Sequence, residues 1–225
     1  DDLFALFLDP GMTYSSALFE PGDSLERAQH RKIDRLLDLT GVGPGRRVLE
    51  IGTGWGELTL RAAARGALVT SLTISAAQWA AATRRCAAAG VADRVDVQLR
   101  DYRDATGRYD AVLSVEMIEA VGAAYWPEYF RAIDRLLGPG GLAGLQAITM
   151  PHDRMLATRG GHSWIHQYIF PGGQIPSVEA ITGTLAEHTG LAVRSDLAMG
   201  QHYATTLGQW RERFTAAAQD VGRLG

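Results

Sequence analysis

The residues with the clearest chemical reading are Glu50, Gly52, Gly54 and Gly56, in the run Val48-Leu49-Glu50-Ile51-Gly52-Thr53-Gly54-Trp55-Gly56. The short stretch from Arg47 to Ile51, bounded by Gly45 and Gly52, predicts a buried parallel strand. The glycines permit a tight turn and close approach of a ligand to the backbone. Glu57 to Arg65 follows with good helix formers and an apolar side. Strand, glycine turn and helix make a nucleotide-type binding corner. A dinucleotide site asks for a carboxylate about 20 residues beyond the first glycine. Leu72-Thr73-Ile74-Ser75 supplies none there, and the glycines are spaced G-x-G-x-G. Glu50, two residues before Gly52, gives nothing to a pyrophosphate, which gains from a positive field. It suits a ligand with a cationic centre and an amino group, and S-adenosylmethionine is such a ligand.

The elements that must position this corner alternate. Strands are predicted at Leu68–Thr73, Val95–Leu99, Tyr109–Val115, Leu142–Ile148 and Leu191–Leu197. Helices are predicted from Ser24 to about Leu39, over roughly Ala76–Ala89 capped by Ser75, and from Tyr125 to Leu137. Two more run from Ser177 to about Thr189 and from Thr205 to Ala218. This order predicts an α/β fold, a Rossmann-like mainly parallel sheet with helices on both faces. Residues 1–22, rich in aromatics (Phe4, Phe7, Tyr14, Phe19), are expected to fold over it as a cover. Residues 150–176 break the rhythm with glycines, prolines, Trp164, Tyr168 and Phe170, as a lid or substrate wall does.

The 225 residues suffice for one domain with a substantial core, and a net charge of −3 argues against a nucleic-acid protein that relies on a basic surface. One cysteine, Cys86, excludes an internal disulfide framework and a multi-cysteine zinc site, and suits a reducing cytosol. It sits mid-helix among alanines and reads as buried and inert. No apolar run approaches a membrane span, so membrane contact would be peripheral. The start at Asp1 and the ending Val221-Gly222-Arg223-Leu224-Gly225 lead to the expectation of a fragment of a longer chain. His162 and His166 have a metal-ligand spacing, but the glycines and proline around them favour polar lid residues, and no metal is expected. The pairs Arg84-Arg85 and Arg154 with Arg159, and the acids Asp110 and Asp134, read as surface; a phospholipid head group is the functional alternative for Arg154 and Arg159.

Several separated stretches then carry a resemblance. They are Leu8-Asp9-Pro10 with Thr13-Tyr14-Ser15-Ser16-Ala17, Leu49 to Gly56, Leu72-Thr73-Ile74-Ser75 with Gln78, and Asp101-Tyr102-Arg103-Asp104. Glu116-Met117-Ile118-Glu119-Ala120-Val121-Gly122, Tyr168-Ile169-Phe170-Pro171-Gly172-Gly173 and His202-Tyr203-Ala204-Thr205-Thr206-Leu207 with Trp210 complete the series. The chain resembles the cyclopropane-fatty-acid and mycolic-acid methyltransferase family over nearly its whole length. The last two blocks lie outside the generic methyltransferase core and make the likeness specific.

The resemblance implies methyl transfer from S-adenosylmethionine to the double bond of an unsaturated acyl chain in phospholipid, by way of a carbocation. It places the cofactor against Glu50, Gly52, Gly54 and Ile74, its ribose side at Thr73 and Gln78, and its adenine near Asp101 and Tyr102. Tyr14 and Ser15 would close over it, with Trp55 serving packing. It also implies an active-site bicarbonate among Ser16, Val115 (by its backbone), Glu119, Gln146 and Tyr203, with Glu119 foremost and Tyr203 a hydrogen-bond donor or base relay. Two positions depart from the family pattern. Ser16 stands where many cyclopropane synthases have Cys, and Gln146 where they have His. Gln146 cannot switch protonation near neutral pH as His can, so proton removal is open to another route. Which proton leaves decides the product: one route closes a cyclopropane, others give a methylene or a methyl-branched unsaturated chain. The stretches Glu116–Glu119 and Gln146–Asp153 are similar to the actinobacterial branch that makes methylene precursors of fatty acids such as tuberculostearic acid, which places the methylene product ahead. The implied setting is cytoplasmic and peripheral at the inner membrane face, with no nucleic-acid partner; the oligomeric state stays open, a homodimer among the options. A methyltransferase for a small soluble nucleophile and a non-catalytic cofactor- or lipid-binding homologue are the competing readings.

Overall fold

The computed structural model describes residues 2–158 and 172–224. Its sheet has five strands in the order β3-β2-β1-β4-β5, every neighbouring pair parallel. The strands are β1 (Arg47–Ile51), β2 (Leu68–Thr73), β3 (Val95–Leu99), β4 (Tyr109–Val115) and β5 (Leu137–Gln146). The helices are α1 (Asp2–Ala5), α2 (Leu25–Leu39), α3 (Glu57–Ala64), α4 (Ala76–Ala88), α5 (Ile118–Val121), α6 (Trp126–Leu136), α7 (His152–Thr158), α8 (Val178–His188), α9 (Gly200–Ala216) and α10 (Ala218–Val221). Ser24, Ser75 and Ser177 cap α2, α4 and α8 by accepting from the backbone N–H three residues on, as their types predict.

Strand alternation sorts the side chains onto two faces. Leu49, Ile51 and Val112 pack against Tyr129, Phe130 and Ile133 of α6 and Leu185 of α8. Val48, Ala111 and Leu113 pack against Ile33 and Leu37 of α2, Leu58 and Ala62 of α3, and Cys86 of α4. Glu50, in step with Val48, therefore points toward α2 and α3 rather than into the α6 face. Helices cover both faces, as expected. Because β1 lies between β2 and β4, the strand order reverses there, and a crevice opens at the carboxyl ends of β1 and β4.

The aromatic N-terminal segment packs as a third cluster. Leu8, Ala17, Leu25, Ala28 and Trp210 are buried together, with Phe4, Phe7, Phe19 and Trp55 against them. Helix α9 ties it down: Thr206 Oγ1 accepts from Ala17 N at 3.1 Å, and Arg213 donates to the Leu8 carbonyl at 2.9 Å.

Several expectations are corrected. Residues 191–197 join no ladder; Val193 and Leu197 are about half exposed, and β-type residues that gain no packing against a sheet face do not make a strand. β5 starts at Leu137 rather than Leu142, because Gly138 and Gly141 let the chain lie close against the Tyr109 carbonyl, with a register shift between Tyr109 and Ala111. α9 begins at Gly200 rather than Thr205, so Tyr203 is helical. Arg85 is not a solvated surface residue: it donates to the carbonyls of Gly11 and Trp55 and pairs with Glu57 at 2.6 Å. Asp110 accepts from Arg47 N at 2.8 Å, and Asp134 from Gly190 N at 3.0 Å, so both acids have partners. Cys86 is buried, as expected. In the segment 150–176 the first part forms α7, with Arg154 exposed; Arg159, His162, Trp164, His166, Tyr168 and Phe170 lie outside the described residues.

Candidate active site

The crevice at the switch point is a cleft of about 770 Å³. Its lining includes Tyr14 and Ser15 from the N-terminal segment, Glu50, Gly52 and Gly54 from the β1 corner, and Thr73, Ile74 and Gln78 after β2. Asp101 and Tyr102 after β3, and Val115 and Glu116 at the end of β4, also face it. All ten residues expected at the cofactor thus share one cavity.

Each is held by local chemistry. Gly52 has φ +96, and a Cβ there would meet Met117 Sδ at 2.6 Å. Gly52→Ala is expected to destabilise the fold by about 1–3 kcal/mol through that strain, read as a lower urea midpoint; an unchanged midpoint would show that the turn relaxes freely. Thr73 Oγ1 lies 2.8 Å from Gln78 Oε1 and accepts from Ser75 N at 3.1 Å, fixing the start of α4 at the rim. Ile74 is 81% exposed there, an apolar surface open to a ligand. Asp101 caps its turn and is clamped by Arg103 at 2.8 Å, which holds its carboxyl below the usual range. Tyr14 is 42% exposed and stacks on Trp210 with ring centroids 5.3 Å apart, so it is a wall of the cleft rather than a core aromatic. Trp55 packs against Phe4 at 5.1 Å, the packing role expected of it.

Beneath the cleft lies a buried charge network. Glu50 is 3% exposed; it accepts from Thr59 Oγ1 and from Ser71 Oγ at 2.6 Å. Burial pushes its carboxyl up to about 7, against the pull of those hydroxyls and of Lys32. Lys32, 4% exposed on α2, donates to Ser15 Oγ at 2.6 Å. Burial brings its ammonium down to about 8, opposed by the charges of Glu116, Asp9 and Glu50. Lys32 does not figure among the residues expected from sequence. The signal was present: Leu25, Gln29 and Lys32 fall on one helical face, and polar residues on an apolar stripe need a partner.

The residues expected to do the chemistry gather beside the cleft. Gln146 Nε2 donates to Glu116 Oε1 at 2.8 Å and to the Ser16 carbonyl at 3.1 Å. Ser16 N donates to the same Glu116 oxygen at 2.8 Å, while the Ser16 hydroxyl turns to the Ala17 carbonyl at 3.2 Å. Glu119 Oε1 accepts from Ile148 N, and Glu119 Oε2 is shut off from solvent with no partner among the described residues. Burial pushes Glu119 up to about 7. Tyr203 is raised to about 12, by burial first and then by Glu116, Tyr14 and Glu119, so α9 brings it to this acidic group. Of the five, only Val115 lines the cleft itself. Glu116 was also missed as a site residue. It has φ +50, a conformation costing a side chain about 1–3 kcal/mol, and nothing in its residue type announces that.

A family model described as mycolic acid cyclopropane synthetase matches residues 1–224. The chain belongs to the mycolic acid cyclopropane synthetase family. Within this family's range, it is 54% identical over 233 residues to tuberculostearic acid methyltransferase UfaA1 of Mycobacterium tuberculosis, covering 100% of this chain and 55% of that protein. It is 37% identical over 222 residues to cyclopropane-fatty-acyl-phospholipid synthase of Escherichia coli K12, covering 98% and 56%. The chain therefore spans about half the length of these curated relatives. The crystal structure of mycolic acid cyclopropane synthase CmaA1, complexed with SAH and CTAB, superposes with a TM-score of 0.88 at 30% identity, covering 97% of this chain and 80% of that one. The sheet and its helices are accordingly the Rossmann-like fold of S-adenosylmethionine-dependent methyltransferases.

Proposed function

We propose that the chain carries the site of an S-adenosylmethionine-dependent C-methyltransferase acting on the double bond of an unsaturated acyl chain in phospholipid. The observation that carries this is the juxtaposition of a glycine-cornered cleft with the carboxyls of Glu116, on its wall, and Glu119, beside it. When bound, the cofactor supplies an electrophilic methyl on a sulfonium. Gly52 and Gly54 would lie along its methionine part, Thr73 and Gln78 at the ribose, and Ile74 and Tyr102 at the base. Lys32 and Ser15 offer donors to its carboxylate, while Glu50 offers a negative field to its amino group. The residues present fit the group.

An alkene is a poor nucleophile, so the protein must position it and exclude water. Phe4, Tyr14, Trp55 and Trp210 form an aromatic wall suited to that. The alkylated chain is a cation, and fixed carboxylates stabilise it without reorganising. Among the described residues no helix is long and apolar enough to cross a membrane; contact with lipid would be peripheral, from the cytoplasmic side, through the N-terminal cover and the 150–176 segment. We favour a methylene or methyl-branched product over a cyclopropane, in keeping with the name of the 54% relative. A methylene needs hydrogen to move with its electron pair from the methylated carbon to the neighbouring cation before a proton leaves the methyl group.

The test is incubation with methyl-labelled S-adenosylmethionine and an oleoyl phospholipid, followed by mass spectrometry of the released fatty acids. Labelled methylene or methyl-branched acid is expected. A cyclopropane ring as main product would reverse the product preference, and label only in small soluble acceptors would replace the lipid reading.

A further inference from the structure

The alkylated chain must lose a proton, and the acceptor implied by the family resemblance is a bicarbonate held among Ser16, Val115, Glu119, Gln146 and Tyr203. The charged oxygens of such an anion need donors. Both amide hydrogens of Gln146 are already engaged, by Glu116 Oε1 at 2.8 Å and the Ser16 carbonyl at 3.1 Å. Turning the amide over would set its oxygen against a carboxylate and a carbonyl, so this orientation is fixed. Ser16 N goes to Glu116 and the Ser16 hydroxyl to Ala17. Glu119 Oε2, without a partner among the described residues, would welcome a proton donor, but its carboxylate adds repulsion to the anion. Tyr203 keeps its hydroxyl hydrogen, with Glu116 and Glu119 both acting on it. One hydroxyl donor among two carboxylates does not fit a bicarbonate.

The same contacts orient a carboxylate instead. Glu116 lies just past β4 at the switch point, lines the cleft, and precedes Met117, which packs on Gly52. Two donors from different elements, Ser16 N on the N-terminal cover and Gln146 Nε2 on β5, converge on its Oε1. Its backbone is held in the left-handed region, and such strain concentrates where geometry serves a site. Glu119, by contrast, does not line the cleft and is tied to Ile148 N. We propose that Glu116 is the catalytic carboxylate that faces the cationic alkylated chain and accepts its proton, in place of a bound bicarbonate. After the hydrogen has moved with its electron pair, a C–H bond next to the cationic carbon breaks, its electron pair becomes the second bond of the new C=C, and the proton passes to the Glu116 carboxylate and on to solvent. This assignment rests on the methyltransferase reading above.

The purified protein is compared with Glu116→Gln, which keeps an acceptor for Ser16 N and Gln146, and with Glu116→Gly, which removes the strain at φ +50. Three quantities are measured: calorimetric affinity for S-adenosylhomocysteine, the thermal midpoint, and methyl transfer to oleoyl phospholipid vesicles in buffer with and without bicarbonate. Both variants should keep affinity within about threefold, and Glu116→Gln an undiminished midpoint, while turnover falls by about 10²–10⁴-fold. Wild-type turnover should not depend on bicarbonate. Wild-type turnover in Glu116→Gln, or a rate that collapses on carbon dioxide depletion and returns with bicarbonate, overturns the assignment. So does loss of S-adenosylhomocysteine binding in both variants, since a structural role then accounts for the defect. If the unaltered protein methylates no lipid while still binding S-adenosylhomocysteine, the functional reading itself fails and takes this assignment with it.

Discussion

Lys32→Met is expected to weaken binding of S-adenosylhomocysteine by roughly 30- to 100-fold, the size of one lost charge-assisted hydrogen-bond partner. Lys32 Nζ donates to Ser15 Oγ at 2.6 Å, which leaves the Ser15 hydroxyl hydrogen free to turn into the cleft. Ammonium and hydroxyl together form a donor pair for the ligand carboxylate. Fold stability should change far less than affinity, because two terms oppose. Removing the ammonium ends its own desolvation cost but leaves Glu116, Asp9 and Glu50 without their shared cation. Glu50, already raised to about 7, can answer by taking up a proton. The pH dependence separates this from a packing defect. With the ammonium brought down to about 8, wild-type affinity should decline above pH 8, whereas the methionine variant should show no such decline. Calorimetry between about pH 7 and 9 checks it. Equal affinity in the two proteins would remove Lys32 from the ligand site.

What the sequence disclosed follows from which signals are local. β1, its glycine corner and the serine-capped helices depend on neighbouring residues, so spacing alone reveals them. The missing acid after β2 was likewise local, and the residues that the resemblance set in its place, Thr73, Ile74 and Gln78, line the cleft. Leu191–Leu197 failed because strand propensity counts only where the segment packs against the sheet, and that is a property of the fold, not of the segment. Gly200 hid the start of α9: glycine is a poor helix former, yet at a helix terminus its cost is small. The site splits in the same way. Glu50 and the glycines announce themselves, whereas Lys32 is visible only once α2 buries it against Ser15. Glu116 acquires meaning from Ser16 and Gln146, 100 and 30 residues away in the chain.

Stability should fall as pH rises from about 5 to 8, and Glu119→Gln should remove part of that fall. Glu50 and Glu119 are both raised from 4.5 to about 7 by burial. Between those values the folded state binds more protons than the unfolded chain, so the slope of unfolding free energy with pH is negative. The favourable contribution is complete below about 4.5 and lost once pH passes 7. At about 1.4 kcal/mol per pH unit, each group accounts for up to roughly 3 kcal/mol. Asp9, also raised by burial, acts in the same direction. Lys32 is silent here, since its window opens only above about 8. In Glu119→Gln the amide oxygen can still accept from Ile148 N, and no charge is buried at any pH. The variant should therefore exceed wild type by about 1–2 kcal/mol at pH 8, after a deduction for an amide nitrogen left without a partner. At pH 5, where the wild-type group is protonated, that advantage should vanish. Urea unfolding at the two pH values measures the difference, and a pH-independent gap would mean that Glu119 does not titrate in the fold. A carboxylate kept where it costs stability, with Glu119 Oε2 unpartnered among the described residues beside the acidic wall of a cleft, is what a site built to meet positive charge requires. A cationic chain facing Glu116 would also supply Glu119 with the compensation that the free protein lacks.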